Sequence, residues 1–273
     1  METGLQAGFG DALANLRVLE TLGIQWARVD ITEAVNYPAV VGAFQTSTVK
    51  PLFLIRDVSK AAQLIDSIFN FLDSSKTAIE IFNEPNYNGI SPKVWFDGIM
   101  AVYKDARLRN YKGDIIAGAI GNLNKSGLDF WEAVKVNKLP LDVVLGFHRY
   151  QPGTQIGWNG QTRREVPWDG FNSRTDELNY VHKVAGIRDI ALTEFGYHTA
   201  PEYIWWHKVQ MSNEQARDCL AADFRLFNQN NVKIAVVYQW SDGLTEDYMS
   251  HFGITDTNAN LKPQSEAFKL WQS

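Results

Sequence analysis

Short apolar runs rich in β-branched residues recur along the chain and alternate with longer segments in which apolar residues repeat every three to four positions. The short runs predict eight strands, at residues 5–10, 26–31, 51–57, 78–85, 114–120, 143–150, 189–197 and 234–240. Strands that alternate with helices are typical of a parallel sheet, because parallel neighbours need a crossover connection.

The longer segments carry helix start and stop signals. Asp11 and Gly23 bound the first pattern, and Ser212 with Gln215 forms a capping box at the start of another. The predicted helices cover residues 11–23, 58–73, 91–106, 212–227 and 261–272, with a short one within 32–50. Eight units in 273 residues leave about 34 residues each, which fits a barrel. We therefore predict a single (β/α)8 TIM barrel domain over residues 1–273.

Two glutamates follow predicted strands of this barrel, at the end where barrel enzymes carry their chemistry. Glu84 follows strand four in "AIEIFNEPN", and Glu194 closes strand seven in "LTEFGYH". Pro85 disfavours the α conformation for the preceding residue, so we expect Glu84 to be held extended. Two carboxylates on one rim suit acid/base or nucleophile/acid work on a single bond.

Other strand ends add polar and aromatic side chains to the same rim. Strand two ends with Arg28 and Asp30, strand six with His148 and Tyr150 on one face, and strand eight with Trp240. Each has a structural alternative: Arg28 could merely neutralise Asp30, His148 could be a hydrogen-bonded structural histidine, and Trp240 could belong to the core.

The order of these motifs resembles that of clan A glycoside hydrolases. The motifs are "FNEPN" on strand four, "FHRY" on strand six and "LTEFGYH" on strand seven, together with the arginine and tryptophan that close strands two and eight. The cellulase-like family five is the most similar, and the run "YQWSDGLTEDYMSHFGITDTNANLKP" also resembles family thirty-nine. Family five usually has a histidine after strand three, where this chain has "IRDVSK". The resemblance implies a retaining mechanism with Glu84 as acid/base and Glu194 as nucleophile.

The same resemblance implies roles for five further residues. Asn83 would bind the sugar 2-hydroxyl, Arg28 and Tyr150 would hydrogen-bond the nucleophile, His148 would line the site, and Trp240 would be the platform under the sugar. A nucleophilic carboxylate must be ionised, which a nearby guanidinium favours.

Two long loops after strands six and seven carry further aromatics. The first contains Trp158 and Trp168, and the second contains Trp205 and Trp206. Exposed rim aromatics suit stacking on the apolar faces of pyranose rings, so we include these four among the substrate-binding residues. The alternative is that they pack on one another.

Two titratable side chains compete with these assignments. Glu80 shares the strand face of Glu84, but it lies deeper in the barrel and is better explained as a structural ion-pair partner. His198 follows strand seven closely and is a candidate for substrate contact.

Composition excludes several function classes. The net charge of −5 argues against a nucleic-acid or anionic-membrane partner, and no apolar run is long enough to span a bilayer. The single cysteine, Cys219, excludes an internal disulfide. No histidine or cysteine cluster has metal-ligand spacing, so we expect no metal and no cofactor. The N-terminus lacks the pattern of a signal peptide, which predicts a cytoplasmic protein, or a secreted one if the sequence begins at the mature domain.

The sequence thus predicts a monomeric retaining β-glycosidase, an O-glycosyl hydrolase that binds an oligo- or polysaccharide. Short connections elsewhere predict an open cleft and endo action on a β-linked glucan, mannan or xylan. The alternatives are an exo-acting β-glycosidase, a carbohydrate-binding barrel without turnover, and a metal-dependent hydrolase on the same fold.

Overall fold

A closed barrel of eight parallel strands forms the centre of the computed structural model, which describes residues 1–7, 11–32, 36–245 and 247–272. The strands are β1 (Glu2–Gln6), β2 (Trp26–Asp30), β3 (Lys50–Ile55), β4 (Ala78–Ile81), β5 (Asp114–Ile120), β6 (Val143–Arg149), β7 (Ile190–Phe195), β8 (Pro201–Ile204), β9 (His207–Gln210) and β10 (Ile234–Val237). Strands β1 to β7 follow one another around the barrel, and β10 closes it between β7 and β1. The predicted (β/α)8 fold is confirmed.

The helices lie between consecutive barrel strands in the sequence, except for the last one, which follows the last strand. They are α1 (Asp11–Thr21), α2 (Tyr37–Gly42), α3 (Ala61–Phe71), α4 (Pro92–Leu108), α5 (Lys125–Val134), α6 (Arg174–Ala185), α7 (Asn213–Gln229) and α8 (Ala267–Leu270). The predicted capping box before α7 is present, and α2 is as short as expected. Residues 8–10 of the first predicted strand, and the predicted cap at the Asp11 side chain, lie outside what the structure describes.

Three features differ from the sequence prediction. The loop expected after strand seven contains an antiparallel hairpin, β8–β9, outside the barrel sheet. Helices α5 and α6 are not predicted by the pattern described above. The helix expected over 261–272 is reduced to a 3₁₀ turn, Pro263–Glu266, and the single turn of α8.

The barrel interior has an apolar lower layer, near the N-terminal ends of the strands, and polar side chains above it, further along the strands. The lower layer consists of Trp26, Leu52, Ala78, Ile116, Val144, Ala191, Ile234 and Val236. Two residues further along β2 and β4, the same inward face presents Arg28 and Glu80. The larger core lies between the barrel and its helices. The polar groups of the site therefore lie directly above a buried apolar layer.

Candidate active site

Arg28 connects the buried polar groups inside the barrel. Its Nε donates to Glu80 Oε2 at 2.6 Å, and its Nη2 donates to Asn83 Oδ1 at 2.8 Å. Its Nη1 donates both to Glu194 Oε1 at 2.7 Å and to Gln6 Oε1 at 2.6 Å. One buried guanidinium thus fixes groups from three other strand ends.

The competing structural interpretations of Arg28 and Glu80 are resolved by this network. Asp30 pairs with Arg56 at 2.8 Å, so Arg28 does not serve to neutralise Asp30. Glu80 is fully buried and also accepts a hydrogen bond from the Thr193 hydroxyl at 2.9 Å. Glu80 therefore has the structural ion-pair role expected of it.

The two predicted catalytic glutamates face each other across this network. An oxygen of Glu84 and an oxygen of Glu194 lie within 4.8 Å of each other, and His148 Nδ1 lies nearer to Glu84 than to Glu194 Oε2, which is 3.6 Å away. His148 Nδ1 is 2.9 Å from Glu84 Oε1, and the Tyr150 hydroxyl donates to Glu194 Oε2 at 2.9 Å. The side chains that the sequence analysis assigned to one rim therefore lie close together in the structure.

The local backbone around Glu84 differs from the expected extended strand end. The strand β4 stops at Ile81, and both Phe82 and Glu84 have positive φ values, +70° and +45°. The expectation of an extended Glu84 is therefore wrong. The turn is held by the Glu84 backbone N–H, which donates to the Ala119 carbonyl of β5 at 2.8 Å. It needs Gly118 opposite, because a Cβ there would collide with the Ile81 and Phe82 carbonyls.

The two side chains that donate hydrogen bonds to Glu194 keep their protons. Burial lowers the pKa of Arg28, but the charges of Glu80 and Glu194 outweigh burial and raise that pKa above its ordinary value. Burial and the neighbouring Glu194 raise the pKa of Tyr150 well above its ordinary value. Arg28 therefore stays charged and Tyr150 stays a phenol, so both remain hydrogen-bond donors to Glu194.

Comparison with known proteins identifies this architecture. No protein-family model matches the sequence, and a comparison with curated proteins gives no match. A family 39 glycoside hydrolase from Bacteroides cellulosilyticus matches with a TM-score of 0.68 and 15% identity, over 98% of this chain and 63% of that one. An active-site mutant of a β-1,3-glucanosyltransferase from Rhizomucor miehei, in complex with laminaritriose, matches at 0.64 and 14%, over 96% of both chains. A family 128 exo-β-1,3-glucanase from Aureobasidium namibiae matches at 0.58 and 13%, over 94% and 92%. The chain shares their fold.

A cavity of about 710 Å³ opens beside Glu84 at the C-terminal rim of this fold. Its walls include Tyr87 after β4, Tyr150 after β6, and His198 with Glu202 after β7, whereas Glu194 is not among its lining residues. Of the two glutamates, only Glu84 therefore contributes to the wall of this cavity. A cavity of about 550 Å³ is lined by residues at or before the start of β3 and by residues before β4, and neither glutamate lines it.

A second groove, of about 680 Å³, is lined by residues that follow β5 and β6. Trp168 is half-buried and lines the groove together with Asn124 and Asp169. The Asn124 side-chain amide donates to the Tyr87 hydroxyl at 2.5 Å, so one hydrogen bond links a groove residue to a residue of the cavity beside Glu84. Trp168 is therefore the one predicted loop tryptophan that lines a groove next to the site.

The other predicted tryptophans lie elsewhere. Trp240 is only 3% exposed and belongs to the core, so it offers little surface for stacking on a sugar. Trp158, Trp205 and Trp206 are highly exposed, and none of them lines the cavity beside Glu84. Trp158, Trp205 and Trp206 therefore lie outside the cavity beside Glu84, and the substrate-binding role of Trp240 stays a prediction.

Several site residues escaped the sequence reasoning. Gln6 ends β1 and accepts a hydrogen bond from Arg28. Tyr87 and Asn122 line the cavity, and Glu202 lies on a hairpin that was not predicted. Only Gln6 carried a usable signal, because it is a polar residue at the end of a barrel strand. His198, the weaker candidate, does line the cavity, with its Nε2 3.5 Å from Glu202 Oε1.

Proposed function

We propose that the protein is a retaining β-glycoside hydrolase in which Glu84 is the acid/base and Glu194 the nucleophile. The observation that carries the proposal is the approach of their carboxylate oxygens to within 4.8 Å. Carboxyl groups in retaining enzymes lie about 5–5.5 Å apart, whereas inverting enzymes separate them by about 6.5–9.5 Å to admit a water. The close approach supports direct attack by one carboxylate.

Glu194 has the environment of a nucleophile. Its two oxygens each accept a hydrogen bond, one from Arg28 and one from Tyr150, and these bonds orient it. In the first step a Glu194 oxygen bonds to the anomeric carbon as the bond to the leaving oxygen breaks. The Asn83 amide is turned with Oδ1 toward Arg28, so its NH₂ group is available to a sugar hydroxyl.

Glu84 is placed to move the proton in both steps. Its carboxyl gives a proton to the leaving oxygen in the first step and takes one from water in the second. Formation of the glycosyl ester removes the charge of Glu194, which favours the ionised form of Glu84 just when a base is needed. His148 Nδ1, at 2.9 Å, can donate to the ionised Glu84 carboxylate.

The proposed substrate is a β-linked polysaccharide cleaved within the chain. The cavity beside Glu84 and the adjoining groove give room for several sugar units on one side of the cleavage point. Two of the matching structures are named for transfer or hydrolysis of β-1,3-glucan, which makes β-glucan the first candidate before mannan and xylan. Product size during early hydrolysis distinguishes endo from exo action.

Rescue by azide tests the roles of the two glutamates. With a dinitrophenyl β-glycoside, Glu84→Ala should form the glycosyl–enzyme and stall, since this leaving group needs little protonation. Added azide should then restore turnover and give the β-glycosyl azide, with retained configuration. Glu194→Ala should form no intermediate, and azide in the vacated space should give the α-glycosyl azide. The same anomer from both variants would show that the roles are assigned wrongly. Binding of glycan by the wild type without any turnover would favour the binding-protein alternative.

A metal-dependent hydrolase is a second candidate, because Glu84, His148 and Glu194 place three potential ligand atoms within 4.8 Å of one another. The Arg28 guanidinium already pairs with Glu194 at 2.7 Å, and its positive charge disfavours a cation there. We expect activity to be unchanged after dialysis against a strong chelator. Activity that vanishes with chelator and returns with a divalent ion would establish the metal mechanism instead.

A further inference from the structure

The exposed tryptophans of the described chain are confined to two loops. Three of the nine tryptophans are exposed: Trp158 by 79%, Trp205 by 83% and Trp206 by 78%. The first follows β6 and the other two follow β7. Large aromatic side chains that are exposed to solvent add little to the stability of the fold. A group of them therefore indicates an interaction surface.

Both loops are hairpins. Residues 156–162 form a small hairpin through the antiparallel bridge between Ile156 and Thr162, and Trp158 lies at its tip. The second is β8–β9, whose two-residue turn consists of Trp205 and Trp206. The rings of Trp205 and Trp206 lie 5.8 Å apart with a tilt of 42°.

The bases of the two hairpins are joined. The Gln155 backbone N–H donates to the Glu202 carboxylate, with distances of 3.2 and 3.0 Å to its two oxygens. The Gln155 side chain also bonds the His198 backbone, accepting at 3.0 Å and donating at 2.9 Å. Trp158 and Trp205 each follow this junction by three residues, about 10 Å of extended chain. The three tryptophans therefore stand on neighbouring tips.

The chemistry of the tips indicates an uncharged partner. Neither residues 157–161 nor residues 204–207 contain an acidic residue, lysine or arginine. Anionic lipid surfaces and nucleic acids are bound through clustered lysine and arginine, which these tips lack. Tryptophan faces beside the amides of Asn159 and Gln161 suit a neutral polyhydroxylated chain, which has apolar ring faces and many hydroxyls.

We infer that the two hairpin tips form an accessory binding site for the surface of an insoluble, uncharged β-glycan. The tips are separate from the cavity beside Glu84, but Pro201 and Glu202 at the base of the second hairpin line that cavity. A polymer surface held at the tips therefore lies next to the site. Only the choice of β-glycan as ligand rests on the proposed function.

Adsorption to particles of insoluble β-glucan tests the site, measured as depletion of protein from solution. The Glu194→Ala background keeps the particles intact during the measurement. The variants are Trp158→Ala, Trp206→Ala and Trp205→Asn, with asparagine at 205 because φ there is +57°, a conformation that asparagine tolerates. We expect each single variant to weaken adsorption about threefold and the triple variant at least tenfold.

The matched control is Leu108→Ala, on an equally exposed apolar residue (87%) at the end of α4. It should adsorb like its parent. Melting temperatures of all variants should stay within about 2 °C, since surface substitutions cost little stability; if the triple variant does not fold, the single variants decide. Undiminished adsorption of the tryptophan variants would overturn the inference, as would equal binding of the parent to anionic phospholipid vesicles.

The two proposals fail separately. Hydrolysis of a soluble aryl β-glycoside by the wild type tests the proposed function without using the tips. A protein that is inert toward glycosides but adsorbs through its tryptophans would lose the proposed function and keep the accessory site. A protein that cleaves glycosides but adsorbs equally well without its tryptophans would do the reverse.

Discussion

Among single residues, Arg28 belongs both to the folded core and to the candidate chemistry. It is buried and bonded to Glu80, which is buried as well, and it also contacts Glu194. Removal of one member of a buried ion pair leaves the other charge uncompensated, at a cost of about 3–5 kcal/mol. We therefore expect Arg28→Met to lower the free energy of unfolding by this amount, measured by urea denaturation.

A second substitution separates the two roles of Arg28. In Arg28→Met/Glu80→Gln neither buried charge remains, so most of the lost stability should return. Activity should not return, because Glu194 still lacks its cationic donor. We expect kcat/KM on an aryl glycoside to stay on the order of 10²-fold below wild type, the size of effect found for one preorganised donor. Recovery of both stability and activity would show that Arg28 acts through the fold alone.

Glu84 illustrates what sequence could and could not predict at this scale. The position of a carboxylate after the fourth strand followed from the strand pattern and from the proline after it. The positive φ of Glu84 did not, because it depends on a carbonyl of β5 and on the absence of a side chain at Gly118. Residues that are far away in sequence decide the backbone here, and local propensity does not record them.

At the scale of elements, a buried ion-pair cluster fixes the long connection between β6 and α6. Asp223 of α7 accepts hydrogen bonds from Arg164 of that connection and from Arg174 of α6, both at 2.6 Å, and from the Tyr197 hydroxyl at 2.7 Å. Nearby, Arg149 at the end of β6 pairs with Glu177 of α6. These bonds hold the connection that carries Trp158 and Trp168.

This cluster predicts a specific acid sensitivity. Burial raises the pKa of Asp223, but the charges of Arg174 and Arg164 outweigh it and hold that pKa below its ordinary value of 3.8. Because this pKa is lower in the folded state, the ionised Asp223 carboxylate stabilises the protein, and its contribution is complete above pH 3.8. The contribution is lost as the pH falls below that value. The difference in unfolding free energy between wild type and Asp223→Asn should therefore shrink below about pH 3.8. A control, Asp169→Asn at an exposed site, should show no such change in urea denaturation.

Elements that the pattern failed to predict have physical explanations. Arg174 and Glu177 are buried in α6, so charged residues occupy the inner face and obscure the helical period. The β8–β9 turn places Trp205 at a φ of +57°, where hairpin signals would lead one to expect glycine or asparagine. Barrel strands, in contrast, were recognisable because both of their faces are buried and their apolar runs are nearly continuous.

For the whole molecule, the groove that contains Trp168 and the cavity beside Glu84 predict a dependence on substrate length. A hydrogen bond from Asn124 of the groove to Tyr87 of the cavity links the two, so we expect a long glycan to reach Trp168 and a short aryl glycoside not to. Trp168→Ala should raise KM for a long glycan by roughly tenfold at most, the equivalent of about 1.4 kcal/mol of lost stacking, and more than for the aryl glycoside. Small and equal effects on both substrates would show that Trp168 is structural.

The order in which the chain is made bears on how the barrel closes. Glu2 of β1 lies opposite Ile234 of β10. The strand pairing that closes the barrel therefore joins two segments that are far apart in the sequence. Such distant pairing pays a large loop-closure entropy and folds slowly. During synthesis, β1 and β7 keep open hydrogen-bonding edges until residues 234–237 emerge, and open edges invite pairing with other chains. Gln6, which holds Arg28, ends one of the strands with such an edge, and its carbonyl accepts the Trp240 N–H only once β10 is in place.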